Sequence, residues 1–248
     1  NPLLALHRGA IDELMPGACK RLWNDPSEAG EDDVMSIMVA TGRRPLAMHG
    51  DRESFGANYE AYGELVFQPL ARSFSFAVPN DAALSCIARH SPLVEVGAGT
   101  GYWAALLEAR GCNVLAYDMS PPDAEGAGAS KQFYCTYTEV RQGGPRVLED
   151  HPDRTLLLVW PFSEGTPRGA RGGDWDAACL VHCECDTVIY AGDWAGRGLF
   201  PGPGQNSSLA FQRILQKDFE CIERVALPNW PQVRDDLSVW RRRALHST

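Results

Sequence analysis

Three glycines at alternate positions, with a carboxylate just upstream, carry the strongest chemical signal in this chain. The run Leu93-Val94-Glu95-Val96-Gly97-Ala98-Gly99-Thr100-Gly101-Tyr102 reads as a buried strand that turns sharply into a helix. Glycine lets the backbone pass close to a ligand because no Cβ blocks the approach, and the first turn of a helix offers N–H groups without intrahelical partners. Together they make a site for a nucleotide-type ligand. Ligands of open α/β sheets bind outside the carboxyl ends of the strands, which singles out further residues. Asp118 ends the next β-rich run, where its carboxylate can accept hydrogen bonds from two ribose hydroxyls. Trp160-Pro161-Phe162 ends another and offers a stacking surface or a backbone acceptor, although plain core packing accounts for it equally. Asp193, beside Trp194, closes a third and could orient an amine or accept a proton.

The spacing separates two ligand classes. Dinucleotide sites carry G-x-G-x-x-G, with the third glycine needed for close helix packing, and here Tyr102 stands in that place. A nicotinamide-dependent oxidoreductase is therefore disfavoured. The run with Glu95 inside the strand, supported by Asp118, instead resembles the first motif of class I S-adenosylmethionine-dependent methyltransferases. The resemblance extends over Phe74 to Arg243 and is specific at the glycine run and Asp118. It implies that Glu95 anchors the methionine amino group of S-adenosyl-L-methionine, directly or through water. Gly97, Ala98, Gly99, Gly101 and Tyr102 would follow the cofactor's methionine and ribose, and Asp118 would hold the ribose. Met119 would cover an adenine face, Gly143 would line the adenine edge, and Phe76 and Pro79 would close one wall. Trp160-Pro161-Phe162 is in part similar to the Asn/Asp-Pro-Pro-aromatic sequence of nucleobase amino-group methyltransferases, but Trp160 has no acceptor in its side chain. The catalytic candidates are Asp193, Trp160 and Pro161.

Three functions follow, two of them enzymatic and the third of another class. The first is methylation of a small-molecule or metabolite-sized acceptor, releasing S-adenosyl-L-homocysteine. The second is methylation of a nucleobase amine in RNA or single-stranded nucleic acid. The third is a regulatory module that binds the cofactor without catalysis. The net charge of −9 over 248 residues favours the first, because a broad nucleic-acid footprint needs clustered positive charge. Arg168, Arg171 and Arg241-Arg242-Arg243 could supply a local basic groove, and a solvated face explains them as well.

The eight cysteines lie mostly in apolar segments, as expected of reduced, buried thiols in an intracellular, cytoplasmic protein. Cys179-Leu-Val-His182-Cys183-Glu-Cys185 gathers soft ligands, but zinc sites pair two separated knuckles and no second one is present, so no metal is expected. No run of eighteen apolar residues suggests a membrane span. The chain starts at Asn1 rather than Met, which leaves room for an upstream segment.

The elements that must position these residues form an alternating pattern from Leu93 onward, the mark of a parallel sheet with helices on both faces. Strands are expected over Leu93–Val96, Val114–Tyr117, Thr138–Arg141, Thr155–Trp160, Thr187–Tyr190, Cys221–Leu227 and Leu237–Trp240, the last two as an antiparallel hairpin at a sheet edge. Helices are expected over Asp81–Arg89, Tyr102–Arg110, Arg146–Asp150, Trp175–Cys183 with Asp174 as cap, and from Ser207 or Ser208 to Leu215. The Gly/Ala/Ser-rich stretch from Ala124 to Ser130 is read as a loop. The fold class is α/β: a doubly wound, seven-stranded, mostly parallel sheet with an antiparallel last strand and an N-terminal helical extension. Residues 1–80 form that extension, with helices over Asp32–Val39 and Asn58–Phe67, and residues 81–248 form the core. His49, Asp51, Tyr59 and Tyr62 in the extension could reach over a ligand, although ordinary packing explains them too.

Overall fold

The computed structural model describes residues 1–14, 63–123, 132–161, 174–194, 206–230 and 234–244. The chain divides into two compact units, residues 2–71 and residues 72–248 together with Asn1. In the first unit, helix α1 (Pro2–Gly9) continues into a π-helical turn over Ala10–Leu14. A similar turn over Gly63–Phe67 leads into α2 (Gln68–Ser73). The helix expected over Asp32–Val39, the first half of the one over Asn58–Phe67, and His49, Asp51, Tyr59 and Tyr62 lie outside the described residues. So do Ala124–Ser130, Phe162, Arg168 and Arg171.

The second unit runs α3 (Asp81–Ala88), β1 (Leu93–Val96), α4 (Tyr102–Glu108), β2 (Val114–Asp118), β3 (Val140–Gln142) and β4 (Thr155–Val159). It continues with α5 (Trp175–His182), β5 (Thr187–Gly192), α6 (Leu209–Asp218), β6 (Phe219–Ala226) and β7 (Asp236–Arg242). These strands form one sheet in the order β3-β2-β1-β4-β5-β7-β6. Strands β1 to β5 pair in parallel, and β7 lies antiparallel between β5 and β6. This is the seven-stranded sheet with a reversed last strand that the methyltransferase resemblance implies. From β1 the chain builds outward to β3, returns across to β4, and continues to the other side. The β1/β4 junction is thus the switch point where a cleft opens beyond the strand ends.

Burial on both faces explains the unbroken apolar runs of the central strands. Val94, Val96, Leu156, Leu158, Val188 and Tyr190 pack with Ala177, Cys179 and Leu180 of α5 and with Phe211 and Leu215 of α6. The residues of opposite parity, Leu93, Leu157, Ile189, Leu237 and Val239, are buried as well. Helix α3 is capped by Asn80, whose Oδ1 accepts the Ala83 N–H at 2.8 Å. Ser208 caps α6 by accepting the Phe211 N–H at 3.0 Å.

Several local expectations are corrected. Asp174 precedes α5 but stands at φ 63° and makes no capping bond. Residues Pro145–Asp150 form a 3-10 helix, with Pro145 at its start. The third strand is shorter and later than its composition suggests, since only Val140–Gln142 find partners on β2. The cysteines are not all free thiols: Cys183 and Cys185 form a disulfide. Cys183 ends α5 in an extended conformation, so residues 183 and 185 face the same side with Cα atoms 5.3 Å apart. Among the described residues no group of His, Cys, Asp and Glu could hold a metal ion, and no helix is long and apolar enough to cross a membrane.

Phe211 is fully buried with its ring 5.3 Å from Tyr190, and it ties α6 to the centre of the sheet. Phe211→Ala is expected to lower stability by about 3–5 kcal/mol, measured by urea unfolding. A loss under about 1 kcal/mol would mean that α6 is not held by this contact.

Candidate functional site

The glycine turn is built by hydrogen bonds between β1 and β2. The N–H groups of Gly97 and Ala98 both donate to the Tyr117 carbonyl, at 2.8 and 3.0 Å. The Gly99 N–H donates to Asp118 Oδ2 at 2.9 Å, and the other carboxylate oxygen accepts from the Ser120 N–H at 2.8 Å. This geometry puts Gly97, Gly99 and Gly101 at φ 76°, 54° and 68°, all in the left-handed region. The turn is also tied to the segment before α3. Thr100 Oγ1 donates to the Phe74 carbonyl, and the Trp103 indole N–H donates to Ser75 Oγ at 3.1 Å and the Ala77 carbonyl at 3.3 Å.

Beyond the ends of β1, β2 and β4 these elements enclose a cleft of about 280 Å³. Its lining includes ten of the residues singled out by sequence: Phe76, Glu95, Gly97, Ala98, Gly99, Tyr102, Asp118, Met119, Trp160 and Pro161. Four others are placed behind it. Gly101 faces Thr138 and Val140, and Gly143 faces Val147 and Tyr117. Pro79 is buried and outside the lining. Asp193 is only 2 % exposed; its Oδ1 accepts the Asn206 N–H at 3.2 Å, and its carbonyl accepts the Tyr190 hydroxyl at 2.7 Å. The carboxylate at the end of β5 is thus turned into the core.

Two aromatic residues that sequence reasoning passed over complete the lining. The Trp175 ring lies against Gly97, in the space a Cβ would take, and Phe133 does the same at Gly99, where a Cβ would come within 2.7 Å of Cζ. Trp175 reads from sequence as an ordinary first helical residue, and Phe133 falls in a stretch without periodicity. Neither carries a signal apart from its tertiary contact.

The electrostatics single out Glu95. It lies 1 % exposed on β1, the Ala104 N–H in the first turn of α4 is directed at its carboxyl, and its Oε2 has no hydrogen-bond partner. Burial pushes its pKa up to about 8, and the negative charge of Asp118 adds to the effect. Glu95 and Asp118 are the only charged residues among the described lining. A buried, unpaired carboxyl facing a cleft invites a cationic hydrogen-bond donor.

No protein-family model matches the chain. No curated protein sequence matches it either. Solved structures with similar coordinates include magnesium protoporphyrin IX methyltransferase of Synechocystis PCC 6803 with S-adenosylhomocysteine bound, at 12% identity and TM-score 0.41, covering 91% of this chain and 100% of that one. The glycopeptide N-methyltransferase MtfA, complexed with S-adenosylhomocysteine, is similar at 13% identity and TM-score 0.39, over 69% of this chain and 92% of that one. Sp1610 of Streptococcus pneumoniae, a proposed tRNA (m1A22) methyltransferase, is similar at 14% identity and TM-score 0.41, over 68% and 71% of the two chains.

Two measurements probe this geometry. Alanine at a left-handed glycine costs about 1–2 kcal/mol, and this strain is common to Gly97 and Gly111, the latter at φ 82° with open space around it. Gly111→Ala is therefore expected to lose about 1 kcal/mol and Gly97→Ala more than about 2 kcal/mol by urea unfolding, because only the latter pushes on Trp175. Equal losses would remove Trp175 from the turn. The second concerns Glu95, whose pKa rises from the ordinary 4.5 to about 8 on folding. Between these values the unfolded chain has released the proton and the folded chain keeps it. Stability contributed by this group is thus full below pH 4.5 and declines by up to about 1.4 kcal/mol per pH unit until the folded pKa is passed. Plots of unfolding free energy against pH for wild type and Glu95→Gln are expected to differ in slope between about pH 4.5 and 8 and to run parallel outside that window. Parallel pH profiles would place the Glu95 carboxyl in water.

Proposed function

We propose that this chain is an S-adenosylmethionine-dependent methyltransferase whose acceptor is a small, metabolite-sized molecule. The observation that carries the reading is the unpaired, buried oxygen of Glu95 in a cleft that also presents Asp118, the two joined by the glycine turn. That residue set fits the cofactor: a carboxyl for an ammonium group and a second carboxylate for vicinal hydroxyls. When bound, S-adenosylmethionine supplies an activated methyl group, its C–S bond breaking as the acceptor bond forms, leaving S-adenosylhomocysteine and an acceptor proton for solvent.

In this reading each residue has a definite task. Glu95 ionises as it meets the cofactor's ammonium, so the chain releases a proton on binding below about pH 8. Asp118, already oriented by the Gly99 and Ser120 N–H groups, accepts from the ribose hydroxyls with its remaining lone pairs. Gly97, Ala98 and Gly99 provide backbone against which the ligand lies, while Trp175 and Phe133 give way or stack upon it. Met119, 50 % exposed at the rim, is free to cover the base. Gly101, Tyr102, Gly143, Phe76 and Pro79 hold the shape of the pocket. Trp160 and Pro161 form the wall facing the acceptor, and Asp193 supports that wall from the core. The residues' main service is alignment of acceptor and donor in a place sheltered from water. The net charge of −9 works against a polynucleotide backbone as acceptor.

Calorimetry with the full chain tests the reading. Wild type is expected to bind S-adenosylmethionine and S-adenosylhomocysteine. Asp118→Ala, which removes hydrogen bonds to a charged group worth about 1.5–3 kcal/mol, is expected to weaken both by about 10- to 100-fold. Absence of binding by the wild type would falsify the proposal.

A further inference from the structure

Two rings rest on the glycine turn, and they are mounted in different ways. Trp175, against Gly97, opens α5, whose Ala177, Cys179 and Leu180 are packed into the core, so its ring moves only if the core moves with it. Phe133, against Gly99, belongs to a strap over 132–138 that forms neither helix nor strand. One end of this strap is anchored. Tyr137 stacks on Phe74 with ring centroids 5.6 Å apart and donates its N–H to the Thr100 carbonyl at 2.8 Å, and the Thr138 hydroxyl donates to Glu108 Oε2 at 2.7 Å. Nearer the Phe133 ring the ties are lighter. The Tyr134 N–H donates to the Arg72 carbonyl at 3.2 Å, the Cys135 thiol to the Ser73 carbonyl at 3.6 Å, and the Thr136 hydroxyl to Asp123. All these residues are half-buried or exposed, so water can replace either partner at little net cost. The surface behind the ring, by contrast, is fixed. Phe133 meets Phe76 edge to face with centroids 6.0 Å apart. Phe76 stacks in turn on Trp160, whose indole N–H donates to Asp235 Oδ2 at 2.7 Å, and its carbonyl accepts the Trp230 indole N–H at 2.9 Å. Phe133 can thus leave while its neighbours stay.

Resting on the methyl-donor reading above, we infer that Phe133 is a built-in competitor of the cofactor: its ring takes the face of Gly99 that the ribose needs, and the strap over 132–138 swings it out before S-adenosylmethionine seats. The Gly99 N–H holds Asp118 Oδ2 at 2.9 Å, and Asp118 and Glu95 line the same cleft. A ligand that reaches from one carboxyl to the other crosses the turn between them and meets the ring there. The binding-competent chain is then the fraction with the ring out. An open state populated at about 0.1–10 % lowers the apparent affinity below the intrinsic one by about 10- to 1000-fold. Occupancy is therefore set by the strap as well as by the carboxyls, and loosening the strap raises it without altering a cofactor contact.

The test uses the full chain and two measurements. By calorimetry, Phe133→Ala is expected to bind S-adenosylhomocysteine at least about tenfold tighter than wild type, whereas a ring that served as a wall of the bound site would make the variant bind more weakly. The second measurement follows Cys135, which rides on the strap, by its rate of alkylation with iodoacetamide in wild type, read by mass spectrometry against the fully buried Cys179. Saturating S-adenosylhomocysteine is expected to speed alkylation of Cys135 by about threefold or more, because the ligand holds the strap open. In Phe133→Ala that acceleration disappears, since nothing has to be lifted. Equal or weaker binding by Phe133→Ala, or an unchanged or slower reaction of Cys135 in wild type, overturns the inference. Failure of wild type and Phe133→Ala alike to bind S-adenosylhomocysteine instead overturns the methyl-donor reading.

Discussion

The site depends on one constraint, the left-handed turn that lets β1 end against β2. A chain of ordinary residues would leave β1 and drift from the sheet. Here three positive φ angles fold the backbone so that Gly97 and Ala98 share one carbonyl of β2 and Gly99 reaches the Asp118 carboxylate. The same turn starts α4, whose first-turn Ala104 N–H is aimed at Glu95. Strand end, helix start and both carboxyls of the cleft are therefore set by five residues, and a substituent on Gly97 or Gly99 meets an aromatic ring at once.

The two carboxyls are held in opposite ways, which gives them different chemistry. Asp118 is half-buried, and its two carboxylate oxygens each accept from a backbone N–H group. Glu95 is enclosed by apolar neighbours with one oxygen unpaired, so its ionised form is costly until a cation arrives. One carboxyl is a standing acceptor and the other a latent charge. In the proposed reading the two together suit a ligand that has hydroxyls at one end and an ammonium at the other.

Much of this was legible in the chain, for local reasons. Strand β1 is bounded by Pro92 and Gly97, so a four-residue apolar run could only begin and end there. Asp118 could be found because it ends a strand adjacent to the turn, and Ser208 because a hydroxyl before an apolar period is a strong cap. The contacts that escaped are those joining residues far apart. Trp175 and Phe133 reach the glycines only through tertiary packing, and Asp235 reaches Trp160 across 75 positions. Strand β3 has three residues and exists by virtue of its pairing with β2. Asp193, chosen by topology, turned inward because Asn206 and Tyr190 supply a buried polar network that the strand pattern does not reveal.

The position of β7 between β5 and β6 has a consequence for how the molecule is made. Synthesis delivers the glycine turn, Glu95 and Asp118 before Trp230 and Asp235. Phe76 waits for a partner 154 residues downstream. The glycine-turn side of the cleft can therefore take shape on a nascent chain while the wall with Trp160 is still unbraced. That wall is completed only when β7 enters its slot between β5 and β6 and joins the two sides of the sheet.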